Sequence, residues 1–126
     1  EVLQVKKLIV TLSLCVASSV SMAAVIDVCT GTAGNAVGAI PSDTTGASFV
    51  RTGFTPKCSV NTQVKFDQSA AVAAVGSAPT KGNQVFGGHT NGGAVAQDTT
   101  ITCATTGCTA TNAGTALTNA LAAGSS

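Results

Sequence analysis

The chain has 126 residues, with six Lys and Arg against five Asp and Glu, one His, five Cys, four Phe and no Trp or Tyr. That length holds one domain rather than two. A formal net charge of +1 excludes the basic stripe of a nucleic-acid binder, and no run of like charges forms a polybasic surface or an acidic tail.

Lys6 and Lys7 precede an apolar run over residues 8–20, and Ser21, Met22 and Ala23 follow it. A basic start, a short apolar stretch and a small-residue cleavage site predict a secretory signal peptide over residues 1–23, with residues 1–4 upstream of its natural start. The run is shorter than the ~20 residues a membrane-spanning helix needs, so no membrane anchor is expected after cleavage. Cys15 follows the bulky Leu14, where a lipid-attachment site needs a small residue. The expected mature chain is a single β-rich secreted domain over residues 24–126.

That domain carries Arg51, Lys57, Lys65 and Lys81 against Asp27, Asp43, Asp67 and Asp98, a balance of zero, and about half of it is Ala, Thr or Gly. Large side chains contribute most to burial, roughly 1.5–3 kcal/mol each, so a core of Ala and Val is weak. Disulfides, close packing of small side chains, and burial against another copy can compensate.

In chain order, residues 24–30 are β-branched and predict a strand. Residues 31–46 read as loop. Residues 47–52, with Phe49 and Val50, predict a second strand, broken by residues 53–56. Residues 57–66 alternate almost without fault: Cys58, Val60, Thr62, Val64 and Phe66 on one face, polar residues on the other. That pattern predicts a ten-residue half-buried strand. Residues 69–76 lean to strand, and residues 77–82, with Pro79, to loop. Residues 84–90 and 93–99 flank Asn91-Gly92, the strongest hairpin signal in the chain. Gly87-Gly88 beside it predicts a bulge or a close backbone approach. Alternation from Val95 lets this strand run on to Cys103. Residues 115–123, with Leu117 and Leu121 four apart and Gly124 as the stop, predict a short helix before a Gly/Ala/Ser-rich tail.

Four cysteines remain after the leader, and they allow three pairings. Cys29–Cys58 with Cys103–Cys108 is expected, with metal binding and mixed or intermolecular pairing as alternatives. Metal is disfavoured because only one cysteine pair is close and His89 is the sole histidine. His89 is also the only base near neutral pH, and no nucleophile pattern accompanies it. No EF-hand or phosphate loop occurs. The chain is therefore expected to be no enzyme and to hold no cofactor or metal. The fold class expected is all-β, a small disulfide-stapled antiparallel sandwich or sheet, with a short C-terminal helix.

The leader, the neutral Ala/Thr/Gly-rich domain, and cysteines at 29 and 58 together resemble secreted bacterial fimbrial (pilin) subunits. In chaperone–usher pilins an incomplete immunoglobulin-like sandwich is completed by an N-terminal extension of the next subunit. The resemblance implies that Cys29–Cys58 is the pilin-type bridge and that Val25, Ile26 and Val28 are candidate assembly-strand residues. It implies a structural subunit of an extracellular filament or surface layer, on a bacterial surface after periplasmic transit. Its partners would be other copies of itself, paired through β-strands. A monomeric disulfide-stapled binding module, such as an adhesin or periplasmic ligand-binding domain, is the alternative.

Overall fold

The computed structural model describes residues 24–126; the predicted leader, with Cys15, lies outside the described residues. The chain is β-rich, with two antiparallel sheets, one C-terminal helix and two disulfides. Its strands are β1 (Ile26–Thr30), β2 (Gly34–Asn35), β3 (Lys57–Cys58), β4 (Thr62–Gln68), β5 (Ala73–Pro79), β6 (Phe86–His89) and β7 (Ala96–Gln97), and the helix is α1 (Ala110–Gly124). The larger sheet runs β1-β4-β5-β6-β7, and β2 and β3 form a separate two-stranded ribbon.

From β4 onward the large sheet is a meander. Phe66 pairs with Val75, Gly76 with Gly87, and Gly87 with Ala96. Successive side chains point to opposite faces, so Ala74, Gly76 and Ala78 look toward α1. Val64 and Phe66 look the other way, where they pack with Val28, Cys29, Ile40, Val50 and Cys58. On the helix side the core is Ala78, Val85, Cys108, Ala113 and Ala116, joined by Ala74, Leu117 and Ala120. Among the described residues the most completely buried larger side chains are Leu117 and Val85, and most of the core is Ala, Val and Cys.

Helix α1 forms because Ala-rich sequence meets a strong start signal. The Thr109 N–H donates to Asn112 Oδ1 (2.8 Å) and the Asn112 N–H donates to Thr109 Oγ1 (3.4 Å), a reciprocal capping box. This box starts the helix five residues earlier than Leu117 and Leu121 predict. Ala113, Ala116, Leu117, Ala120 and Gly124 make its buried stripe, at the spacing of an amphipathic helix. Thr109→Ala should cost about 1 kcal/mol. A thermal melt followed by far-UV circular dichroism checks this, and an unchanged midpoint would show the cap to be dispensable.

Both expected disulfide pairs are present. Cys29 and Cys58 lie 5.6 Å apart at Cα, 29 residues apart in sequence. Cys103 and Cys108 lie 4.8 Å apart, with a sequence separation of five. Gly107 has φ +131°, which an L side chain rarely adopts, and it packs against the Thr80 carbonyl. The tight loop is thereby pressed onto the end of β5, where the Cys108 N–H donates to Pro79 O (3.0 Å).

Four local expectations are corrected. Residues 47–52 form no strand; the nearby Ile40–Phe54 bridge lies outside them, and the segment is held instead by contacts such as the Val50 N–H donating to Gln68 Oε1 (2.8 Å). The ten-residue strand over residues 57–66 is two strands split by a turn at Ser59–Asn61, where Asn61 takes φ 61°. Its N–H donates to Gly31 O and its carbonyl accepts from the Thr80 N–H (2.9 and 2.8 Å), so the turn is pinned and Val60 points to solvent. β5 begins at Ala73 and runs through Pro79, into the region read as loop. The last strand stops at Gln97 because Asp98 turns the chain, accepting from Thr100.

Candidate assembly surface

The two margins of the large sheet differ. At one margin, β1 pairs on its inner side with β4, Asp27 opposite Lys65, and those two side chains form an ion pair. A register shift at Val28 bulges the strand. On the outer side the Val37 N–H donates to Val28 O (3.0 Å), so part of this edge is already covered. Val25 is exposed, Ile26 half-buried and Val28 only 3% exposed. The structure thus places the three candidate assembly residues in or beside the chain's own sheet. Donating Val28 to another copy would open the Cys29–Cys58 core.

The other margin is β7, two residues long and exposed along with the turn before it. Its inner side pairs with β6, and no described element pairs with its outer side. An edge of this kind offers free backbone donors and acceptors to an added chain. Beneath it runs a groove of about 290 Å³ between β6–β7 and α1. Its walls are mainly small: Gly87 and Ala96 from the sheet, Ala116, Ala120 and Ala123 from the helix.

Asp98 stands at the end of this groove. Its Oδ1 accepts from the Thr100 N–H (3.0 Å) and hydroxyl (2.6 Å), and its Oδ2 accepts from Asn119 Nδ2 (2.7 Å). The Thr100 hydroxyl, then Asn119, holds the Asp98 carboxyl below the usual carboxylate range. Asp43 is held down to about 2, first by the Thr45 hydroxyl and then by the Thr45 and Ser48 N–H groups. Both groups have folded pKa values below their unfolded values. Their contributions are present above the unfolded value of about 4 and lost as pH falls through the folded value. Urea midpoints measured across acid pH should therefore fall below about pH 4, and the slope should flatten in Asp98→Asn and Asp43→Asn variants. An acid limb unchanged by both substitutions would refute this.

His89 sits on β6 against Gly124 of α1, its Nδ1 buried without a hydrogen-bond partner. Cys29, Cys58, Cys103 and Cys108 are all in disulfides. Among the described residues, no group of three or more His, Cys, Asp or Glu side chains is placed to hold a metal ion. No described helix is long and apolar enough to cross a membrane.

The exposed aromatics are the features that reading the sequence missed. Phe49, Phe54 and Phe86 are 43%, 55% and 38% exposed, so three of the four phenylalanines stand on the surface. The groove was missed as well, although Ala116, Ala120 and Ala123 recur at helical spacing and Gly87 faces them across the sheet. No family model matches the chain, and neither a curated protein nor a solved structure does.

Proposed function

We propose that this chain is a secreted structural subunit that associates with copies of itself into an extracellular filament or surface layer, rather than an enzyme. The observation that carries this reading is the distribution of apolar side chains. A chain short of large residues leaves three of its four Phe exposed and builds its core mostly from Ala, Val and Cys. Burying those aromatics against a neighbour would add stabilisation that the isolated core lacks. The open β7 edge supports association through strand pairing, the mode expected from the fimbrial resemblance. Two disulfides suit an oxidising extracellular setting, and the balance of charge disfavours a nucleic-acid partner. In this reading β1 stays in its own sheet and β7 is the assembling edge, which departs from the donor-strand role considered for Val25, Ile26 and Val28.

One observation favours the alternative, a monomeric binding module. A cleft of about 620 Å³ lies between Lys65 and the Thr111, Thr115 and Thr118 face of α1. Negative-stain imaging and light scattering of the purified oxidised protein separate the two. Filaments or concentration-dependent oligomers are expected, and a monomer at all concentrations would overturn the assembly reading.

A further inference from the structure

Phe54 is exposed but its backbone is not loose. The Ile40 N–H donates to Phe54 O (2.9 Å) and the Phe54 N–H to Ile40 O (3.0 Å). Ile40 is itself buried with Val28 and Cys58. The aromatic ring is thus held out to solvent by a backbone fixed to the core, so docking it costs little ordering entropy. The segment that carries it covers the β1–β4 end of the sheet, on the face away from α1. The Ala-walled groove lies at the β6–β7 end, on the face toward α1. One molecule therefore presents a preformed knob and a preformed hole at opposite margins.

The charges are matched to the same two places. Asp27 is paired with Lys65, and Asp67 is buried. Asp43 accepts hydrogen bonds within its own turn and has Arg51 nearby. Asp98, at the groove, is open to partner charges and, like Asp43 and Asp67, has no cation in salt-bridge contact among the described residues. Arg51 and Lys57 each lie three residues from Phe54 in sequence, both exposed; Arg51 sits near Asp43, whereas Lys57 meets only the neutral Asn35. Knob and hole thus differ in sign as well as in shape, which orients association.

We infer that a second copy of this chain docks head to tail, its Phe54 entering the groove between β7 and α1 with Lys57 toward Asp98. This rests on the assembly reading above and names its interface. Because the joined surfaces are unlike, the contact does not close on itself by a two-fold axis, and repetition yields an open filament or a ring.

Two variants of the full, oxidised chain test it. Phe54→Ala removes the knob and keeps the groove. Ala96→Trp fills the groove and keeps the knob, with Ala123→Trp as its substitute should the first fail to fold. All three positions are exposed, so urea midpoints near wild type are expected. Each variant alone should need about ten-fold or more protein to assemble. Mixed in equal amounts they should form 1:1 dimers that grow no further, because each dimer retains only a blocked groove and a missing knob. Wild-type assembly with both variants assembling normally, or with the mixture remaining monomeric, would overturn this interface and leave the assembly reading standing. A wild type that never assembles would overturn both.

Discussion

Replacing Gly76 by Val should destabilise the protein by about 3 kcal/mol and loosen α1 from the sheet. Gly76 lies in the middle of β5, and a Cβ built there would overlap Ala113 O and Leu117 N and sit 2.9 Å from Leu117 Cα. These are backbone atoms of α1, which no side-chain rotation can move aside. The neighbouring strand repeats the arrangement, since a Cβ on Gly87 would lie 2.9 Å from Ala116 O. The helix therefore rests almost directly on sheet backbone, and Leu117 is buried as a result. Lifting α1 would expose Leu117 together with Ala113 and Ala116, which adds a lost burial term to the overlap. With no Trp or Tyr in the chain, far-UV circular dichroism against urea is the suitable probe. A wild-type midpoint for Gly76→Val would show that α1 is seated less closely than described.

Removing the Cys29–Cys58 bridge by Cys29→Ala with Cys58→Ala should be the most damaging change outside the helix contact. Closing a loop of this length restricts the unfolded chain by about 3–4 kcal/mol. Both sulfurs also lie in the core that joins Val28, Ile40 and Val64, so trimming them removes packing as well. Small domains have stabilities of roughly 5–15 kcal/mol, and a chain with this core belongs near the low end. The double variant is expected to melt some 15–25 °C lower than wild type. The Cys103–Cys108 bridge closes a much shorter loop and should cost less when removed. If the two deletions prove equal, loop length does not govern the effect.

Elements whose identity rests on local chemistry were legible in the sequence. β1 is β-branched, and α1 is Ala-rich with a Leu pair and a terminal Gly. The Asn91-Gly92 turn leads from β6 to β7 as expected, and Gly92 takes a positive φ. The close approach at Gly87 was also visible, as was the cysteine pairing. What failed was continuity. Residues 57–66 alternate through a turn because Asn61 tolerates the left-handed conformation that turn needs, and alternation alone cannot reveal it. Apart from Val75 and the terminal Pro79, β5 is Ala, Gly and Ser, poor strand formers that become strand because β4, β6 and α1 enclose them. The segment over residues 36–56 carries no periodicity at all. It is ordered by tertiary contacts such as the Val50 N–H donating to Gln68 Oε1 (2.8 Å). The exposed aromatics of the candidate surface lie in that segment or at the sheet margin, so their exposure could not be read beforehand.

The two disulfides join each cysteine to the next one along the described chain: 29 to 58, then 103 to 108. A chain threaded N-terminus first into an oxidising space would present Cys29 and Cys58 to each other before Cys103 had emerged. Cys103 would then meet Cys108 after only five more residues. Pairing in order of emergence gives the native bridges directly, and no exchange between wrong partners is required. A chain refolded from the fully reduced, fully exposed state has all three pairings open to it at once. Were the domain exported in this way, order of emergence alone would select its native pairs.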